Sequence, residues 1–446
     1  MELSRRAVIA GGLSAGVMIA LAACATEPKT AVGGEKVPRY SGDGLTTDPI
    51  AYLRTSWSTD PYSRGSYSYL APSDVGTDAR EMLAEPIGRL HFAGEATSST
   101  APATTHGAWE SGQRVAAELM DSSGLIVIIG AGFAGLSAAR ALVDAGRDVV
   151  VVEGRDRTGG RAHTAMLNGV PADLGPSWIH GVTDNPMVSL ARDAGVALVP
   201  FDYDNQVGGS ASAEKFLDGI LEQALEADDA GGRALSELLP PELSIEQQWA
   251  IAVNISGEFA ADPMNLAMAA PGEGGTLRGG DALLNPGYSG ITEYLARGLD
   301  IRLNWSVATV TCDDNEVSVV SDDGREMRAD HAIVTLPVGV LHSGDVRFSP
   351  PLPTEKLRAL DALQSGLLDK LWLEFDEVFW DENADVINWI DPVNPGHWAF
   401  WVNGYKMFGR PVLLGFSAGD VAREFAVKSD EELLESAMNA VRNMIA

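Results

Sequence analysis

Leu125 to Ile129 is an unbroken apolar run rich in β-branched residues, the pattern of a strand buried on both faces. After a glycine-spaced turn, a helix is predicted from about Ala134 to Ala145, with Gly146 as its stop. Asp148 to Val152 is a second apolar strand. Upstream, Leu90 to Ala93 reads as a short strand and His106 to Met120 as a helix. The polar loop Asp121-Ser122-Ser123-Gly124 then leads into Leu125. Downstream, about residues 185 to 290 alternate helical patterns with polar stretches. Gly290 to Leu299 predicts a helix; Ile301 to Leu303, Val307 to Thr311, Val317 to Val320 and Ala332 to Pro337 predict strands. Leu368 to Phe375 alternates as a strand, and Glu424 to Met444 reads as one helix.

The turn after the first strand carries chemistry. Gly130, Gly132 and Gly135 fall at G-x-G-x-x-G spacing. The first allows a tight turn, the second lets backbone approach a pyrophosphate, and the third lets helix and strand pack closely. The helix N-terminus offers free N–H groups and a positive dipole end to phosphate. Glu153 ends the second strand, where an acid binds the ribose hydroxyls of an adenosine. Strand, helix, strand and terminal acid in register predict dinucleotide binding.

The 446 residues are enough for two or three domains. Lys and Arg total 32 against 62 Asp and Glu, a formal net charge of −30. That charge argues against a nucleic-acid partner and is compatible with a small cationic substrate. There are two cysteines, Cys24 and Cys312, and seven histidines without ligand spacing, so no metal site is expected.

Met1 to Cys24 has a charged start with Arg5 and Arg6, then a short stretch of apolar and small residues. Leu21-Ala22-Ala23-Cys24 resembles a bacterial lipobox, which implies lipidation of Cys24. Ser4-Arg5-Arg6 partly resembles a twin-arginine signal. An uncleaved anchor is the alternative. Either way the expectation is an exported, membrane-tethered protein of the bacterial cell envelope, with residues 25–44 as a flexible tether.

R-D-R-T-G-G-R, ending at Arg161, resembles the R-x-G-G-R extension of the flavin-containing amine oxidases. In that family Gly159, Gly160 and Arg161, with Arg155 close by, reach the FAD pyrophosphate. S-W-S-T-D-P-Y-S-R-G-S-Y-S-Y, Ser56 to Tyr69, and G-R-L-H-F-A-G-E-A-T, from Gly88, resemble the C-terminal end of polyamine and spermine oxidases and lysine-specific demethylases. Here these segments precede the dinucleotide strand, so the chain is expected to be circularly permuted. D-L-G-P-S-W-I-H-G, Asp173 to Gly181, is similar to the W-I-H-G segment of polyamine oxidases. The resemblance implies an α/β fold: a Rossmann-like FAD-binding domain plus an α+β substrate domain. The expected division is 1–24 signal, 25–44 tether, 45–87 flavin-facing part of the substrate domain, and 88–200 FAD-binding domain. Then come 201–290, the helical part of the substrate domain, 291–350, the second part of the FAD domain, and 351–446, the sheet part of the substrate domain.

By the same resemblance Gly94 and Glu95 meet the FAD ribityl and diphosphate. Thr105 and Ala108 stand at a helix N-terminus facing the flavin pyrimidine edge, Trp178 touches the cofactor, and Val307 lies beside the adenine. Tyr67 matches the aromatic residue before the flavin. Ser66 stands where monoamine oxidases carry a flavin-linked cysteine, which implies non-covalent FAD. Thr104 replaces the second tyrosine of the monoamine oxidase sandwich and points towards polyamines. Lys370 matches the lysine that holds a water at flavin N5, and an inward lysine on an apolar strand is costly unless it has a task. His180 is expected to touch substrate or set its protonation.

The implied function is oxidation of a primary or secondary amine, with a polyamine as the expected substrate, by hydride transfer to flavin. Imine hydrolysis comes next, and O2 reoxidises the flavin to give H2O2. The alternatives are an L-amino-acid oxidase, which needs an arginine for the carboxylate, and a catalytically silent FAD-binding protein. Isoprenoid desaturases are not expected to carry W-I-H-G or the Lys370 strand.

Overall fold

The computed structural model describes residues 48–275 and 277–444. The expected signal, tether and lipidated Cys24 lie outside this range. No helix among the described residues is long and apolar enough to cross a membrane.

Leu125–Ile129 is the middle strand of a five-stranded, all-parallel sheet. The order is Ile301–Arg302, Asp148–Val152, Leu125–Ile129, His331–Val334, Leu90–Phe92. Its apolar run is explained by burial on both sides. Ile126 and Ile128 pack with Leu136 and Leu142 of the helix Phe133–Asp144 and Val115 of the helix Thr105–Glu118. Val127 and Ile129 face Val310, Val317 and Val319 of a four-stranded sheet on the other side. The polar loop 121–124 closes in one step: Gly124 takes φ +84°, and Leu125 N donates to Asp330 Oδ2 at 2.8 Å. This is the Rossmann-like layer expected from the glycine-spaced turn.

A six-stranded sheet forms the second body. Its order is Ala51–Arg54, Leu368–Glu374, Val412–Ala418, Phe400–Asn403, Val386–Asn388, Gln206–Val207. The alternation of Leu368–Glu374 predicts a one-sided strand, yet every residue of it is buried. Leu368 and Trp372 face the main core, while Leu371 and Leu373 face a second core closed by the helix Asp430–Met444.

The C-terminal helix differs from expectation. Instead of one helix from Glu424 there are two, Gly419–Ala426 and Asp430–Met444. The break is a reciprocal cap: Glu432 N donates to Ser429 Oγ at 3.2 Å, and Ser429 N to Glu432 Oε2 at 2.9 Å.

Residues 48–120 are woven into both bodies. Ala51–Arg54 pairs with Leu368–Glu374, Ser68–Leu70 with Leu363–Ser365, and Leu90–Phe92 with His331–Val334. The ends of the described chain meet: Arg442 is ion-paired to Asp48 at 3.1 Å, and Asp430 accepts from Tyr52 Oη and Arg54 Nη1.

Candidate active site

The sequence places its glycine-rich turn where strand ends and helix N-termini converge, and a cavity of ≈ 480 Å³ opens there. Gly130, Gly132, Phe133 and Ala134 line it from one helix start, and Thr104, Thr105 and Ala108 from another. Thr104 is the N-cap of the helix Thr105–Glu118, its Oγ1 accepting from Gly107 N at 2.9 Å. Two helix dipoles therefore present positive ends to one cavity. Gly135 does not line it. A Cβ there would stand 1.9 Å from Gly130 O, so this glycine serves the close helix–strand contact.

Glu153 lines the cavity and accepts from Ala131 N at 2.8 Å and Arg155 N at 2.9 Å, which fixes the carboxylate at the strand end. Gly159, Gly160, Arg161, Gly94 and Val307 line the same space. Burial pushes the Arg161 guanidinium down to about 10, and its Nη1 donates to Ser66 O and Glu95 Oε1 at 2.8 and 2.9 Å.

Two residues expected at the cofactor spend their polar atoms on the protein. Glu95 lines the cavity, but its oxygens accept from Ser68 Oγ, Ser68 N, Ala103 N and Arg161. It acts as the positioning residue for Arg161. Arg155 donates from Nη2 to both oxygens of the buried Asp60, at 2.9 and 2.8 Å, and to Ser63 Oγ. Its guanidinium fastens the 60–63 loop to the Rossmann-like layer.

Tyr67 lines the cavity, and its hydroxyl donates to Gly257 O and Glu258 O at 3.1 and 3.0 Å. Burial, and then the charge of Glu258, raise the phenol pKa well above normal, so it stays protonated. Ser66 gives its hydroxyl to Leu368 O and accepts from Leu368 N.

Lys370, His180 and Trp178 line neither this cavity nor its smaller neighbour. Lys370 is buried, and Nζ donates to Asp173 O at 3.1 Å, Gly175 O at 2.5 Å and Ser177 Oγ at 2.6 Å. All three N–H bonds of the ammonium are thereby engaged by the protein. Burial lowers its pKa, opposed by the charge of Asp173. Trp178 packs against the Lys370 ammonium, 5.8 Å from its ring centre, rather than forming the cavity wall. It also starts a stack of near-parallel rings. His180 lies 6.2 Å from Trp178 at 20°, Tyr203 lies 6.3 Å from His180 at 22°, and Phe400 lies 6.3 Å from Tyr203 at 26°. His180 Nδ1 is 3.5 Å from Asp281 Oδ1.

Beyond this wall lies a second cavity of ≈ 190 Å³, which sequence reasoning missed. Tyr203, Trp249, Phe400 and Phe416 form its aromatic side. Five carboxylate residues line it, Asp204, Glu214, Asp218, Glu258 and Asp262, and among the described residues no Lys, Arg or His does. The signal available in the sequence was Glu214, Leu217, Asp218 and Leu221, acids mixed into the inward stripe of the helix Ala211–Glu226.

The family model described as "Flavin containing amine oxidoreductase" matches residues 40–120, 133–211 and 214–446. The chain belongs to that family. It is 33% identical over 356 residues to polyamine oxidase 4 of Oryza sativa subsp. japonica, covering 72% of each chain. It is 34% identical over 342 residues to polyamine oxidase 2 of Arabidopsis thaliana, covering 69% of each. A solved structure of putrescine oxidase with bound putrescine has the same fold, with TM-score 0.59 and 19% identity over 72% of this chain and 82% of that one.

This flavin-dependent amine oxidoreductase uses FAD, and the first cavity fits it. Two helix N-termini and a strand-end carboxylate meet at it, as a dinucleotide requires. The cofactor is non-covalent, and position 66 carries a serine rather than a cysteine.

Proposed function

We propose that the protein oxidises a polyamine, giving an aminoaldehyde, a smaller amine and, with O2 as acceptor, hydrogen peroxide. The observation that carries this is the second cavity, whose lining combines Tyr203, Trp249, Phe400 and Phe416 with five carboxylate residues. Aromatic faces attract an ammonium group and also favour its neutral form, and carboxylates hold the further charges of a polycation. Bound FAD supplies the hydride acceptor. The chain's own residues orient the amine between Tyr67 and the ring stack and exclude water. Lys370 is assigned the water-holding role that the family resemblance implies. His180, beside Asp281, is assigned contact with substrate.

An amino-acid oxidase is disfavoured because its substrate carboxylate would face acids, and among the described residues the lining includes no arginine or lysine. The permuted order is part of the same proposal. It is supported by the apposed ends at Asp48 and Arg442, and by a matched share of 72%, about the share of the chain after Gly124. Export and lipid anchoring at Cys24 are proposed from the N-terminal sequence alone.

The test is product analysis. Holoenzyme incubated in air with spermine, spermidine, putrescine or L-amino acids is assayed for peroxide and, by mass spectrometry, for aldehydes. Aldehyde and peroxide in equal amounts from a polyamine are expected; 2-oxo acids alone would transfer the assignment to an amino-acid oxidase.

A further inference from the structure

We infer that the ion pair of Arg64 and Asp345 is a bar across the mouth of the cofactor cavity and sets how fast FAD enters and leaves. The inference uses the FAD assignment and is independent of which amine is oxidised.

The bar hangs on a braced turn. Asp60 is fully buried, and its carbonyl accepts from Ser63 N and Arg64 N at 3.2 and 2.8 Å, while Gly65 N donates to Trp57 O at 3.0 Å. Arg155 grips the Asp60 carboxylate and Ser63 Oγ. At the other end Ser66 N donates to Gly366 O at 2.7 Å, and Ser66 O accepts from Arg161. Between these fixed ends Pro61, Tyr62 and Arg64 are exposed, and all three also line the cavity. Residues that line a cavity and also meet solvent mark its mouth.

The turn reaches two banks of that mouth. On one, the Arg155 guanidinium lies over the Tyr62 ring, 5.3 Å from its centre, and a Cβ at Gly154 would stand 2.6 Å from Tyr62 Cε1. Gly154 and Arg155 directly follow the strand-end acid Glu153. On the other, Arg64 Nε and Nη2 donate to Asp345 Oδ2 at 2.8 and 2.5 Å. Asp345 lines the cavity too, and its N donates to Ser343 Oγ at the end of the helix Val338–Ser343. Arg64 takes φ +51°, uncommon for a residue with a side chain, and its carbonyl sits where a Cβ on Gly339 would come within 2.3 Å. The backbone is therefore pinned, and the two charged side chains are the part that can move. They are 38% and 49% exposed, against 11% and 0% for the anchoring pair of Arg155 and Asp60. An ion pair so open to water is weak and screened by salt, which suits a bar that must part. Its two side chains satisfy each other, so parting them costs the same for cofactor entering as for cofactor leaving. Both rates then change by one factor, and affinity does not change.

The test measures FAD exchange in both directions. Release is followed by visible absorbance as holoenzyme exchanges its FAD for excess 5-deaza-FAD, and uptake by fluorescence quenching when apoprotein is mixed with FAD. R64Q and D345N are each expected to speed release and uptake together by about 2- to 5-fold, with Kd unchanged. R64Q/D345N is expected to be no faster than either single variant, and the charge swap R64D/D345R to restore slow exchange. Added sodium chloride is expected to speed exchange in the wild type and to have less effect on R64Q. Faster release in R64Q with none in D345N would show that Arg64 grips the cofactor itself, and would overturn the inference. So would a change in Kd at constant uptake rate, or wild-type exchange that ignores salt.

Discussion

Replacing Arg80 by leucine probes the network that fastens residues 48–120 to the cofactor side of the molecule. Arg80 is 1% exposed. Its Nε and Nη2 donate to Glu273 Oε1 and Oε2 at 2.7 and 3.0 Å, and its Nη1 donates to Ser68 Oγ at 2.9 Å. Ser68 passes the bond on to Glu95, which holds Arg161. Without Arg80, the buried Glu273 keeps a charge with no cation, and breaking such a pair costs about 3–5 kcal/mol. Replacing both partners removes the stranded charge with its countercharge, so R80L/E273L is expected within about 1 kcal/mol of wild type. The assay is urea unfolding with FAD held at the same excess throughout, so that cofactor binding contributes equally to each protein. A second readout is FAD affinity, expected to fall in R80L because Glu95 loses the charge that opposes its burial. R80L within about 1 kcal/mol of wild type would refute the reasoning, as would a double variant as unstable as the single one.

E153A frees two backbone donors, Ala131 N and Arg155 N, and removes the strand-end acid. FAD affinity, read by fluorescence on reconstituting apoprotein, is expected to fall about 10- to 100-fold. Gly94 lines the cofactor cavity at φ +138°, and a Cβ there meets no atom within 4 Å. G94V is therefore expected to cost about 1–3 kcal/mol in backbone strain and to lower FAD affinity, while far-ultraviolet dichroism stays native. His106 is held down to about 4, first by burial and then by the charge of His180. Its unfolded form takes up a proton near pH 6.5 and its folded form does not until about pH 4, so stability is full above 6.5 and lost as pH falls towards 4. H106Q should remove up to about 3 kcal/mol of that acid-side slope, measured by urea unfolding at a series of pH values.

The range of each interaction along the chain decides whether the sequence reveals it. The strand Leu125–Ile129, its glycine turn and Glu153 were legible because a βαβ unit is written in about thirty consecutive residues. The pairing of Ala51–Arg54 with Leu368–Glu374 was not, since nothing local ties strands over three hundred positions apart. Lys370 could be placed on a strand, but its partners Asp173, Gly175 and Ser177 come from a distant loop. The acidic cavity was hidden for a similar reason. Its carboxylates are spread between about 204 and 262, two on the helix Ala211–Glu226 and the others outside it, and one depends on a π turn that no periodicity announces. The break before Asp430 was carried by a capping box, Ser429 to Glu432, that was readable but lay inside an otherwise helical pattern.

The most direct test of the account is anaerobic mixing of the FAD-loaded protein with spermine, spermidine or putrescine, monitoring the visible flavin absorbance, and then admitting air. The account expects a polyamine to bleach the flavin and air to restore it with release of peroxide. A flavin that no amine bleaches would contradict it, and so would one bleached only by amino acids.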